Sequence, residues 1–310
     1  MKLFLSKVIL FVSLFLMILA CSLFFIPNNK IKNNSLFANI DKHNRLDSLS
    51  SPKIVFVGGS NLAYGLNSQC VEDSLHMPVV NMGLHAGFGL HFMMNEAIKS
   101  INKGDIVVLS PEYHHFYGDM FYGEKVLVAL LVDVDKTNFK HLDFTQIMHL
   151  IPLSIEYAVS KLTFKQIDVM DAGDVKNYES VYKRNSFNRF GDENMHWTFD
   201  NEKVLPMSAP NANVHLNTEV FDAIRDFQFK INKKGARFVL IPPAFQFSSY
   251  REFEPVIRQI DSVLQNQGTV FSLSTESAVF QDSLFFNTVY HLNKKGVDLR
   301  TDQIIKLLKQ

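Results

Sequence analysis

Hydrophobic and polar positions fall into three regimes along the chain. Residues 8–26 (VILFVSLFLMILACSLFFI) carry no charge and only Ser13 and Ser22 as hydroxyls. At about 1.5 Å per residue, a helix of that length spans close to the roughly 30 Å hydrocarbon layer of a bilayer. Nothing amphipathic marks it, so it is not patterned as a core helix. Residues 28–52 are rich in Asn, Ser and Lys and read as a tether. From residue 53 onward, short β-branched and aromatic runs alternate with helical stretches. Such runs occupy 53–57 before Gly58-Gly59, 78–82 before Gly83, and 105–110 before Pro111, with two more at 236–242 and 269–273. Helical patterns cover 88–101, 255–267 and 296–309. Continuous apolar strands alternating with helices predict a mostly parallel sheet covered on both faces. Ligands in such folds bind beyond the carboxyl ends of the strands.

Residues 114–235 are less regular. They hold apolar helix patterns at 126–133 and 144–162 and a polar stretch at 168–210, and they read as a long insertion in one domain. The predicted organisation is an amino-terminal anchor (1–27), a linker (28–52) and an α/β domain (53–310) with its insertion.

Composition narrows the functional classes. Thirty-one basic and 31 acidic side chains cancel in 310 residues, which leaves no electrostatic footprint for nucleic acid. The two cysteines, Cys21 and Cys70, exclude a disulfide framework and a Cys-rich zinc site. Mean hydropathy of +0.02 averages a greasy anchor with a moderately polar domain. Lys2, Lys7 and the amino terminus precede the apolar run, whereas Lys30 and Lys32 follow it. This shallow bias favours a cytoplasmic amino end, with the main domain extracytoplasmic. Two other fates compete with a retained single-pass anchor. Cleavage is disfavoured because no A-x-A stands before Pro27. Lipidation at Cys21 has Ile18-Leu19-Ala20 in its favour, but the apolar run continues through Ile26.

The candidate chemistry begins where the first strand ends, at Gly58-Gly59-Ser60-Asn61-Leu62-Ala63-Tyr64-Gly65. Glycines there permit a tight turn and close backbone approach. Ser60 then stands where a nucleophile would meet a ligand, although a Gly-Gly-Ser turn also serves structure alone. The glycine spacing is not that of a dinucleotide loop, and no Walker lysine follows. At the other end, His291 lies in a loop just before the terminal helix. A nucleophile near the start and a base near the end of an α/β chain can meet, since strand ends converge. His114-His115 beside Glu112 lacks a His-x-x-x-His pattern, so no metal or other cofactor is expected. Glu112 and Tyr113 read as lining the cleft, His85 and His91 as structural, and Cys70 as a small buried hydrophobe. Phe245, Phe247 and Tyr250 form an aromatic run that serves either the core or stacking on a flat ligand.

The chain resembles the SGNH/GDSL hydrolase-like superfamily, most closely its membrane-anchored bacterial branch associated with cell-envelope glycans. The resemblance rests on Val57-Gly-Gly-Ser60-Asn-Leu-Ala-Tyr-Gly65, on Asn81-Met-Gly83-Leu-His-Ala-Gly87, and on Tyr290-His-Leu-Asn-Lys-Lys-Gly296. It implies a three-layer, flavodoxin-like fold, with Ser60 as nucleophile and His291 as general base. The Ser60 and Gly83 amides would form an oxyanion hole, each donor contributing roughly 3–4 kcal/mol. Two blocks depart from the pattern. Asn287 stands four residues before His291 where the family has an aspartate, and in a serine-protease triad that change costs about 10⁴ in turnover. Asp282 could substitute, or the site could work as a Ser-His dyad. Ser110-Pro-Glu112-Tyr113 replaces the block that supplies a third oxyanion donor, with Asn61 as a stand-in. The segment 184–192 (RNSFNRFGD) resembles one recurrent in the same branch, readable as a glycan contact or as a plain turn. The implied function is an extracytoplasmic serine esterase or O-acyltransferase acting on acetyl groups of envelope polysaccharide. The alternative is a catalytically reduced relative that binds glycan or joins an envelope-assembly machine.

Overall fold

The apolar run forms a single helix, α1 (Lys2–Phe25), in the computed structural model, which describes residues 1–163, 180–199, 203–210 and 214–310. It is long and apolar enough to cross a membrane, and nearly all of its side chains are exposed. The segment expected to be a tether is instead folded against the domain. Two short 3₁₀ turns lead into α2 (Ala38–Ser48), which buries Asn39, Lys42 and Leu46. Its polar composition is compatible with burial because each polar head finds a partner. Asn39 donates to Glu96 (2.7 Å) and Lys42 donates to the Asn81 and Gly191 carbonyls.

The core alternates strand and helix. β1 (Ile54–Gly58) runs into the single turn α3 (Ser60–Ala63) and α4 (Ser68–Leu75). β2 (Val79–Asn81), α5 (Leu90–Ile98) and β3 (Ile106–Ser110) follow. After α6 (Lys125–Ala129), α7 (Phe144–Leu162) and α8 (Thr218–Lys233) come β4 (Arg237–Leu240) and the short β5 (Phe245–Gln246). The chain closes with α9 (Phe247–Asn266), β6 (Val279–Phe280) and α10 (Lys294–Leu308). The main sheet has the order β2-β1-β3-β4, with every neighbour parallel. Successive β1 side chains face opposite layers. Val55 and Val57 join the core under α2, α5 and α8, while Ile54 and Phe56 join the one under α4 and α10. That alternation makes three layers.

Several expectations shift at the margins. The run at 269–273 forms no strand and contributes one backbone bond to the sheet, Ser272 N–H to Leu240 C=O (2.7 Å). The short parallel pair β5–β6 forms instead. Within the expected insertion, α8 is the crossover from β3 to β4. It buries Val220, Phe221, Ile224, Phe227 and Ile231 at helical spacing. Cys70 is exposed on α4 rather than buried. The polar stretch at 168–210 lies partly outside the described residues.

Phe56 is fully buried at the centre of the sheet. Phe56→Ala is expected to cost about 3–5 kcal/mol. Denaturant unfolding followed by Trp197 fluorescence checks this, and a loss below 1 kcal/mol would contradict the packing described.

Candidate functional site

The order β2-β1-β3-β4 reverses direction between β1 and β3, and at such a point the loops after the strands part to leave a crevice. Ser60 leaves β1 here and Glu112 leaves β3. The two loops touch closely. A Cβ on Gly59 would lie 2.6 Å from Glu112 Oε1 and 3.1 Å from Ala86 Cα, so a larger residue would force the Glu112 carboxylate to shift. Ser60 is partly exposed, and its hydroxyl donates to Glu112 Oε1 at 3.3 Å. The same oxygen accepts from the Asn61 amide (3.0 Å) and from Asn61 Nδ2 (3.3 Å).

Asn61 is fully buried and turned inward. Its Oδ1 accepts from Ser110 Oγ (3.0 Å) and from Arg300 Nη2 (3.2 Å). Its side chain is therefore spent on the floor of the site instead of being offered as an oxyanion donor. Gly83 lies beneath the Ser60 turn, where a Cβ would meet Leu62 Cβ at 2.6 Å. Its amide donates to Asn81 Oδ1 (3.0 Å), so in this arrangement that donor is also engaged. The Ser60 amide sits in the first turn of α3, where no intrahelical acceptor exists.

His291 is held by a small hairpin. The bridge Phe285–Leu292 and the bond from Phe286 N–H to His291 C=O (2.8 Å) fold 287–291 back on itself. Asn287 Oδ1 thereby faces His291 Nδ1 at 2.9 Å, while Asn287 Nδ2 donates to the Tyr182 hydroxyl at 2.7 Å. The amide oxygen can only accept, so Nδ1 carries the proton and Nε2 carries the lone pair, the tautomer of a general base. Asp282 is not the partner: it accepts from Ser248 at the start of α9. The Tyr64 ring stacks on the imidazole at 4.0 Å and 9°, and the Tyr64 amide donates to Ser60 C=O at 2.9 Å. One residue thus links the two halves of the candidate pair. Among the described residues, no hydrogen bond joins Ser60 directly to His291.

The electrostatics follow from burial. Desolvation, aided by His196 and His85, lowers the His291 pKa to about 3. Asn287 supplies no charge to oppose this. His85 and His115 are pushed to about 4 by desolvation. His114 and His115 diverge: His115 donates to Ala86 C=O (3.0 Å) and accepts from Glu112 N–H, whereas His114 faces Tyr290. A cleft of about 1030 Å³ opens beside them, lined by His85, His114, Tyr117, Glu124, His149 and Glu156.

Two features escaped sequence reasoning. Arg300, buried on α10, donates to Asn61 Oδ1 and to Ser110 Oγ (3.1 Å) under the turn that carries Ser60. Desolvation lowers it to about 10 against the pull of Glu112. Its signal was a charge on the apolar face of the terminal helix, beside Val297 and Ile304. The second is Glu193–His196, a buried pair whose imidazole Nε2 also contacts Leu292 C=O (2.9 Å) in the His291 hairpin. The segment 184–192 is a clip: Asn188 Oδ1 accepts three backbone amides. Asp192 there receives Ser68, Asn81 and Asn188.

No family model matches the chain, and the curated proteins contain no significant relative.

The depressed histidines couple protonation to unfolding. Between their folded values near 3–4 and the ordinary 6.5, the unfolded chain binds protons that the folded chain does not. Stability contributed by these groups is fully present above pH 6.5 and falls as pH drops toward 4. A melting temperature that declines over that window is expected, with the decline reduced in His115→Gln; a flat profile would contradict the burial.

Proposed function

We propose that the protein is an SGNH-like serine esterase or O-acyltransferase whose main domain lies outside the cytoplasm and acts on acetyl esters of envelope polysaccharide. The observation that carries this reading is the Tyr64 bridge. It brings an accepting imidazole, fixed in its basic tautomer by Asn287, to the turn that opens with Ser60. In the proposed cycle Ser60 Oγ attacks the ester carbonyl as His291 Nε2 takes its proton. The alkoxide leaving group then takes that proton, giving an acyl-serine. Water or a sugar hydroxyl completes the second half-reaction with the same proton shuttle. The oxyanion would use the Ser60 amide, joined by the Gly83 amide if Asn81 releases it.

A second reading is favoured by specific contacts. The Ser60 hydroxyl is turned to Glu112, and the Gly83 amide is occupied. Both suit a catalytically reduced relative that binds glycan in the cleft or joins envelope assembly.

The full chain in detergent, given an activated acetyl ester, separates the two. Ser60→Ala and His291→Ala are each expected to lower turnover by about 10³-fold or more. Activity indifferent to both would end the enzyme reading. Because His291 stays neutral down to about pH 3, the acidic limb of kcat/KM is expected well below 6.5. Asn287→Asp adds the missing negative charge, so the limb moves to higher pH and turnover rises. For topology, alkaline phosphatase fused after Gln310 is expected to be active, as it is only outside the cytoplasm.

A further inference from the structure

Helix α7 carries an apolar face that the domain does not cover. Phe144, Ile147, Met148, Ile151, Ile155 and Val159 recur at three- and four-residue spacing, and all are more than 40% exposed. A soluble domain rarely leaves such a stripe open. The helix also packs along α1. Ser22 Oγ donates to Ala158 C=O (2.7 Å), Lys161 Nζ donates to Leu23 C=O (2.9 Å), and Asn28 Nδ2 donates to the Tyr157 hydroxyl (3.0 Å). Between the two helices runs an apolar groove of about 320 Å³, with Leu16, Leu19 and Leu23 on one wall and Ile147, Ile151 and Ile155 on the other.

Position decides the occupant. The α1 wall belongs to the uncharged run 8–26, so a groove beside it lies at the depth of the hydrocarbon wherever α1 crosses a bilayer. The level of the headgroups is marked by Lys136, whose ammonium lies 5.7 Å from the Phe24 ring centroid near the end of α1, with Phe139 beside it. The polar contacts between the helices gather at the same end: Lys161, Asp133, Tyr157 and Asn28. The α7 stripe is thus continuous with the lipid-facing surface of α1.

We infer that α7 is seated in the bilayer beside α1 and that the groove between them takes acyl chains of the surrounding lipid. The opposite side of α7 contributes His149 and Glu156 to the cleft that adjoins His85 and His114. That cleft, which neighbours the candidate site through His85 and His114, therefore opens beside the membrane-seated helix. The inference rests on α1 crossing the bilayer and not on the chemistry proposed for Ser60.

The test uses the full chain with Cys21→Ser and Cys70→Ser, reconstituted in phosphatidylcholine vesicles. An environment-sensitive fluorophore is attached at Ile151→Cys or Ile155→Cys, at Leu16→Cys as the α1 reference, and at Gln265→Cys as the exposed reference. Quenching by lipid bearing a nitroxide on its acyl chain is expected at both α7 positions to approach that at Leu16 and to exceed that at Gln265 several-fold. Quenching at the Gln265 level, with full access to aqueous iodide, would overturn the inference. Protection from both quenchers would overturn it too, in favour of a protein cover such as a second copy. A Leu16 label that lipid does not quench would remove the anchor itself and the inference with it, while leaving the ester assay unaffected.

Discussion

Arg300 lies buried beneath the turn that carries Ser60, and the order of the site depends on it. Its guanidinium reaches Asn61 Oδ1 and Ser110 Oγ, joining the first strand's exit, the third strand's end and the last helix in one polar knot. Glu112 lies on the other side of the knot and gathers the Asn61 amide, its side chain and the Ser60 hydroxyl. A guanidinium taken from water is costly unless hydrogen bonds and an opposing charge offset the loss. Asn61 and Ser110 supply the bonds, and Glu112 supplies the charge. The serine is therefore presented by a network rather than by a loop alone.

The histidine is presented in a different manner, by packing. Tyr64 covers one face of its ring, and the hairpin from Asn287 to His291 fixes its edge. A neutral amide orients an imidazole as well as a carboxylate does but leaves its cation unsupported. The imidazole is thus firmly oriented and only weakly basic. A depressed pKa keeps it ready to accept a proton over a wide range of pH, while lowering the driving force for taking one.

Much of this was legible in the chain. β1, β2 and β3 are short apolar runs ended by glycine, serine or proline, and their side chains are buried on both faces, so composition alone marks them. Ser60, Glu112 and His291 were singled out because each follows a strand or precedes a helix, and Asn287 because it stands where the resembled family carries an aspartate. What stayed hidden depends on partners distant in sequence. Arg300 was not singled out at all, since its partner Asn61 lies 239 residues away. Asn61 looked like a donor to a ligand, yet its amide closes a buried network. The polar segment around α2 looked unfolded because its buried partners, Glu96, Asn81 and Gly191, are supplied by other parts of the chain. The 269–273 run had the composition of a strand but forms only a single backbone bond to the sheet.

The folding of residues 28–52 onto the domain changes how the molecule can search for substrate. A flexible linker of that length would give a root-mean-square reach of about 25–30 Å and let the domain wander over a hemisphere. With α2 packed and α1 bonded to α7, that slack is gone. Wherever α1 crosses a bilayer, this packing holds the domain at one height and one tilt, and encounters at that surface become a problem of lateral diffusion in two dimensions. On the ester chemistry proposed above, selectivity between substrates would then begin before any side chain touches them, with how far each ester stands from the bilayer.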